Sequence, residues 1–210
     1  MEHLLNTVID DLNLLSIDEL NLAWACILYK GHQKDRFIDS SYRSISICPL
    51  LSKAIDTYIS DIYSDTWNSH TAETQFQQSS SSHELAALTL TETIQYSLHS
   101  ISRPLFVIFL DAKSAFDRVL WELLINNLYD CCITDQGLIM INQRLRNRKT
   151  VCEWDKTLVG PFKDQCGVEQ GGKNSSDFYK IYNNTQLNLA QESTWSTHRA
   201  SNCVKYRSSR

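Results

Sequence analysis

The sequence predicts an α/β chain of the α+β type, and three stretches carry that expectation. Leu105 to Leu110 is an unbroken run of Leu, Phe, Val and Ile, too short for an ordinary helix and bounded by Pro104 and Asp111, so it reads as a buried strand. Leu51, Ala54, Ile55, Tyr58, Ile59, Ile62 and Tyr63 recur at helical spacing, which makes residues 50 to 64 a helix with one packed face. Thr150 to Trp154 and Thr157 to Phe162 flank Asp155-Lys156 as the arms of a hairpin.

The remaining elements follow in chain order. Residues 3 to 14 read as a helix, Ser16-Ile-Asp-Glu19 as a capping box for a second short turn, and Ala23 to Tyr29 as a strand ending at Lys30-Gly31. Ser81-Ser-His-Glu84 opens a helix running to about Ser100. Its serines and His83 are more economically a helix cap than a nucleophile and its base. A helix is expected from Ser114 to Leu128, with Asp117 at its third position, where a carboxylate satisfies a free backbone N–H and favours the positive end of the dipole. Residues 136 to 146 form a further helix, and Asn174 or Ser175 caps a last one through about Ala190. Residues 193 to 210 are rich in Ser, Thr and Arg without an apolar period and are expected to be disordered.

With 210 residues and 42% hydrophobic content, the chain can build the core of one domain or of two small subdomains. A formal net charge of -4 opposes a general basic coat for nucleic acid, because such binding rests on phosphate neutralisation. Contacts to nucleic acid must then come from local patches. The densest is Arg144, Arg146, Arg148 and Lys149, followed at a distance by Arg199, Lys205, Arg207 and Arg210. The first patch has two readings of similar weight, a solvated helix end or a template contact. Seven cysteines, an odd number with no secretory segment before them, argue against a disulfide framework and for a reducing, intracellular compartment. Cys131 and Cys132 are adjacent and the others scattered, so buried thiols fit better than zinc ligands. No run of about 18 or more apolar residues is present to suggest a membrane span.

The segment after the apolar run is the most informative. Asp111 stands at the carboxyl end of the expected strand, where oxygen ligands can hold a hard cation. Asp111-Ala-Lys-Ser-Ala-Phe116-Asp117-Arg-Val resembles the first catalytic motif of reverse transcriptases in the form used by non-LTR retrotransposons. Tyr29-Lys-Gly-His-Gln-Lys-Asp35 with Tyr42-Arg-Ser-Ile-Ser-Ile-Cys-Pro-Leu-Leu-Ser-Lys53 is similar to the fingers segment of that family. Gln75-Phe-Gln-Gln-Ser-Ser-Ser-Ser-His-Glu-Leu-Ala-Ala87 resembles its Gln-(Tyr/Phe)-Gly-Phe turn and serine-rich helix start. Gly167-Val-Glu-Gln-Gly171, leading into Phe178-Tyr-Lys-Ile-Tyr182, looks like its Gly-x-Pro-Gln-Gly loop and following helix. Each motif alone is weak; four in family order over residues 20 to 192 are strong. That order argues against an unrelated α/β interaction protein.

The resemblance implies a partial right-hand polymerase fold: fingers and the start of the palm over 1–100, an incomplete palm over 101–192, and a non-homologous tail over 193–210. It implies RNA-directed DNA polymerisation on an RNA template and DNA primer with deoxynucleoside triphosphates and Mg²⁺. Asp111 is then the catalytic carboxylate and a Mg²⁺ ligand, with the Ala112 carbonyl as companion. Phe116 falls at the steric gate against a 2′-hydroxyl, Arg43 and Lys53 at nucleotide contacts, and Gly167, Gln170 and Gly171 at the template–primer support. For Asp117, capping is preferred over metal binding. Ser44 and Glu169 depart from family prolines, and the turn near Phe76 lacks its glycine. No (Tyr/Ala)-x-Asp-Asp box follows Gln191, and the last acidic residue is Glu192. A truncated polymerase without those carboxylates is expected to be inactive, since losing members of a catalytic unit costs roughly 10⁴ to 10⁶ in rate. The alternative is a catalytically dead nucleic-acid-binding remnant.

Overall fold

The computed structural model describes residues 18–31, 33–71, 83–101, 105–107, 109, 111–133 and 135–195. The chain forms two compact units, one of Met1–His70 and Ala115–Tyr182, the other of Thr71–Ser114 and Asn183–Arg210. The expected helix over 3 to 14, the Gln75 turn, the Ser81 cap and nearly all of the tail lie outside the described residues.

The first unit holds a mixed four-stranded sheet. A short turn of helix, α1 (Asp18–Asn21), runs directly into β1 (Leu22–Tyr29), and a 3₁₀ turn at Asp39–Ser41 precedes β2 (Tyr42–Ile47). These two pair antiparallel from Trp24↔Ile47 to Tyr29↔Tyr42. Across the first unit, β3 (Lys149–Trp154) lies parallel to β1, and β4 (Thr157–Lys163) folds back antiparallel on β3, so the order is β2-β1-β3-β4. The β3–β4 hairpin is the one expected from sequence. Asp155 (φ 48°) and Lys156 (φ 60°) both take left-handed backbone, the two-residue turn whose twist matches the strands. Ala23 and Ala25 are buried in β1. Tyr29, Tyr42 and Trp154 form a row of rings, with centroids 5.6 and 5.5 Å apart.

The helices supply the core. In the first unit, α2 (Leu50–His70) buries Ile55 and Ile59 of the face expected from its spacing, leaves Ile62 exposed, and runs six residues past the expected end to bury Trp67 as well. Leu124 and Leu128 of α4 (Trp121–Asp130) meet them, as do Met140, Ile141 and Leu145 of α5 (Asp135–Arg146) and Phe178 and Ile181 of α6 (Ser175–Trp195). Each such side chain contributes roughly 1.5–3 kcal/mol on burial. The second unit carries α3 (His83–Tyr96), continued by a π turn at Ser97–Ile101, and the end of α6, which extends through Ser193 to Trp195, residues expected to be disordered. No helix among the described residues is long and apolar enough to cross a membrane.

Two expectations around Asp111 are overturned. Of the run expected as a buried strand, Leu105, Phe106, Val107 and Phe109 are described, and none is in a strand; Phe106 is 84% exposed and Phe109 61%. A strand needs a neighbour whose backbone groups complete its ladder, and the described sheet is formed by other segments. The helix expected from Ser114 begins only at Trp121. Ser114 has φ 53°, a left-handed value no helix continues through, and the carbonyls of Phe116 and Val119 accept hydrogen bonds from a distant loop instead of from the next helical turn. Asp117 accordingly lies exposed in a turn and caps no helix.

Candidate functional site

The loop from Gly167 to Gly171 sits where the first unit's sheet and helices meet. Its first glycine has φ 87°; the Gly167 amide donates to the Val119 carbonyl (2.7 Å) and the Val168 amide to the Phe116 carbonyl (2.9 Å). A Cβ at Gly167 would stand 3.0 Å from the Asp117 carbonyl oxygen, so only glycine lets the loop approach the 116–119 turn this closely. At the other end the Ser46 amide of β2 donates to the Gln170 carbonyl (2.9 Å), and Gly171 (φ 112°) leaves space for Ser46 and Ile45. The loop thus covers part of the β2 edge. The structure brings together Phe116, Gly167, Gln170, Gly171 and the strand bearing Arg43, residues more than 120 positions apart.

Phe116 is half-buried, packs against the core, and has its ring 5.3 Å from that of Tyr179 on α6. It combines the core reading with a partly open ring. Arg43 is exposed on β2, on the same strand face as Ile45, and Lys53 is exposed on the first turn of α2. Neither side chain has a hydrogen-bond or ion-pair partner among the described residues, which leaves both cations available to an anionic ligand.

Asp111 and Ala112 are exposed and belong to the second unit. Among the described residues no three His, Cys, Asp or Glu side chains converge on a point that could hold a metal ion. One carboxylate supplies two oxygens where Mg²⁺ takes about six ligands, so these residues do not fit a two-metal centre by themselves.

The basic patch divides: Arg146 is exposed in the last turn of α5, as a solvated helix end would have it, whereas two of its arginines turn inward. Arg144 and Arg148 are buried and engaged inside the fold. Arg144 donates to the Leu20 carbonyl (3.1 Å) and Asn21 Oδ1 (3.0 Å) and pairs with Asp56 (3.4 Å). Arg148 pairs with Asp164 and donates to the carbonyls of Cys166 (3.3 Å) and Gly167 (3.2 Å). Burial pushes the Asp56 carboxyl above its ordinary value, an effect that Arg144 opposes and Glu169 reinforces. Glu169, standing at a family proline, accepts a hydrogen bond from the buried Cys48 thiol (2.9 Å). Burial, then the Glu169 charge, pushes that thiol up to about 12. Cys131 is also buried, whereas Cys132 and Cys166 are exposed, so the expectation of buried thiols holds for only part of the set.

Sequence reasoning missed Trp121, whose indole donates to the Gly167 carbonyl (2.7 Å), and missed the inward role of Arg148. Nothing in their local sequence separates them from an ordinary core aromatic and a surface cation. A family model described as reverse transcriptase (RNA-dependent DNA polymerase) matches residues 32–206. No curated protein matches the chain.

Proposed function

The chain belongs to the reverse transcriptase (RNA-dependent DNA polymerase) family, and from that membership we propose that it is the fingers and part of the palm of a polymerase of the non-LTR retrotransposon type. The observation that carries this reading is the junction of the Gly167–Gly171 loop with the Phe116 turn on one side and β2 on the other. Those are three of the motifs whose order resembles that family.

In this reading the loop backbone of Gly167, Gln170 and Gly171 supports an RNA template paired to a DNA primer, since glycines let a backbone approach its partner closely. Arg43 and Lys53 hold the triphosphate or template phosphates through charge-assisted hydrogen bonds. Phe116, braced by Tyr179, restricts space at the sugar of the incoming nucleotide. Asp111 and the Ala112 carbonyl would supply only part of the oxygen set that Mg²⁺ needs. The 1–100 region acts as fingers with the start of the palm, and 101–192 as the rest of the palm.

A second reading, a nucleic-acid-binding protein without catalysis, is supported by Asp111 standing exposed where, among the described residues, no three metal-ligating side chains converge. A single experiment separates the readings from each other and from neither. The 210-residue chain is titrated against labelled primed RNA template and then supplied with Mg²⁺ and deoxynucleotides. Binding without extension above background is expected; extension abolished by Asp111→Ala would show that the chain suffices for catalysis, and no binding at low salt would remove both readings.

A further inference from the structure

Arg148 is a cation that solvent scarcely reaches, with 6% exposure, next to a loop read as a nucleic-acid support. Its Nε pairs with Asp164, which also accepts a hydrogen bond from the Thr150 hydroxyl (3.1 Å) and whose amide donates to the Arg148 carbonyl (3.3 Å). The guanidinium's Nη2 reaches the carbonyls of Cys166 and Gly167, and its Cζ lies 5.9 Å from the centroid of the Trp121 ring. Trp121 donates to the same Gly167 carbonyl. Both peptide planes of Gly167 are therefore held: its carbonyl by two donors, its amide by Val119.

We propose that Arg148 is a positioning residue for primed-template binding, acting through the backbone of Gly167 without touching nucleic acid. Asp164 and Thr150 orient the planar fork so that Nε holds the ion pair while Nη2 faces the loop carbonyls. A lysine keeps the charge but has a single nitrogen and cannot hold both the ion pair and the loop carbonyls. Because Arg148 is buried and already paired, it releases no phosphate counterion, and so should contribute nothing to the salt dependence of binding. This inference rests on the loop supporting template and primer.

The test compares the full chain with Arg148→Lys and with the double variant Arg148→Gln/Asp164→Asn, which keeps net charge and leaves no orphaned buried ion. Affinity for labelled primed RNA template is measured by anisotropy across salt concentrations, alongside melting temperature and amide exchange. Both variants are expected to bind roughly tenfold more weakly, the loss one mis-set charge-assisted contact produces. The log–log salt slope should match wild type, melting of Arg148→Lys should stay close to wild type, and faster exchange should centre on residues 166–168. Unchanged affinity, or a slope lowered by about one in the double variant as for a lost phosphate contact, overturns the proposal. If the wild-type chain binds no primed template, the functional reading fails, and exchange decides the backbone claim alone. Acceleration centred on 166–168 in Arg148→Lys then supports it, and unchanged exchange overturns it.

Discussion

Replacing Gly167 with alanine isolates the contact on which the site depends. At φ 87° an L-residue carries the left-handed penalty of roughly 1–2 kcal/mol. The added methyl would also stand 3.0 Å from the Asp117 carbonyl oxygen, 3.1 Å from Asp117 Cα and 3.1 Å from the Phe116 carbonyl oxygen. These are backbone atoms of a turn tied to the loop by the Val168–Phe116 hydrogen bond, so relief requires the two segments to separate, an overpacking cost of roughly 1–3 kcal/mol. Together Gly167→Ala should cost about 2–5 kcal/mol, a large part of a typical total stability of roughly 5–15 kcal/mol. Gly31 provides the control: its φ is 69°, but nothing lies within 4 Å of a Cβ there, so Gly31→Ala should show only the conformational term of roughly 1–2 kcal/mol. Urea unfolding of the three proteins reads the difference directly, and at roughly 2–4 °C per kcal/mol the Gly167 variant should melt several degrees below the Gly31 variant. Equal destabilisation by the two substitutions would mean that the loop does not press against the 116–117 turn.

Three further outcomes follow from the same structure. Arg144→Met should lose roughly 3–5 kcal/mol in urea unfolding, because it leaves the Asp56 carboxylate buried without its cation and takes one donor from the Leu20 carbonyl and from Asn21 Oδ1; a loss below about 1 kcal/mol would mean the network carries little stability. The Cys48 thiol, ordinarily near 9, is raised to about 12, so the folded state keeps a proton that the unfolded chain releases. Stability from this group is complete below pH 9 and is lost as pH climbs towards 12, and Cys48→Ala should flatten the alkaline fall in urea stability. An alkaline limb identical in both proteins would place its origin elsewhere. Phe106 and Phe109 expose large apolar area, and the double change to Ser should raise the soluble yield and reduce light scattering; unchanged scattering would clear this segment as the source of self-association.

How much was legible in the sequence depended on how local the deciding forces were. The strand ending at Lys30-Gly31 and the hairpin around Asp155-Lys156 are set by turn residues and short-range pattern, and the helix from Leu50 by its apolar period. Whether Leu105 to Leu110 pairs is decided by a partner strand that no local pattern reveals. β2 was read only as a fingers motif, because its strand character depends on register with β1. Arg144 and Arg148 looked like surface charges since their carboxylates, Asp56 and Asp164, stand 88 and 16 residues away. The glycines of the loop were legible as a motif, and their positive φ values give the physical reason for them. Glu169 looked like a departure from a family proline; its acceptance of a hydrogen bond from the Cys48 thiol appears only in three dimensions.

The central claim, proposed above, is that Asp111 of this reverse transcriptase family chain is a catalytic carboxylate. It is tested most directly by fusing a hairpin bearing two aspartates after Glu192 and measuring RNA-templated primer extension with Mg²⁺. Extension is expected, and Asp111→Asn in that fusion should lower its rate by a factor of roughly 10⁴ or more while primed-template affinity stays near wild type. A fusion that binds and extends primed template at the same rate with and without the Asp111→Asn change would contradict the claim.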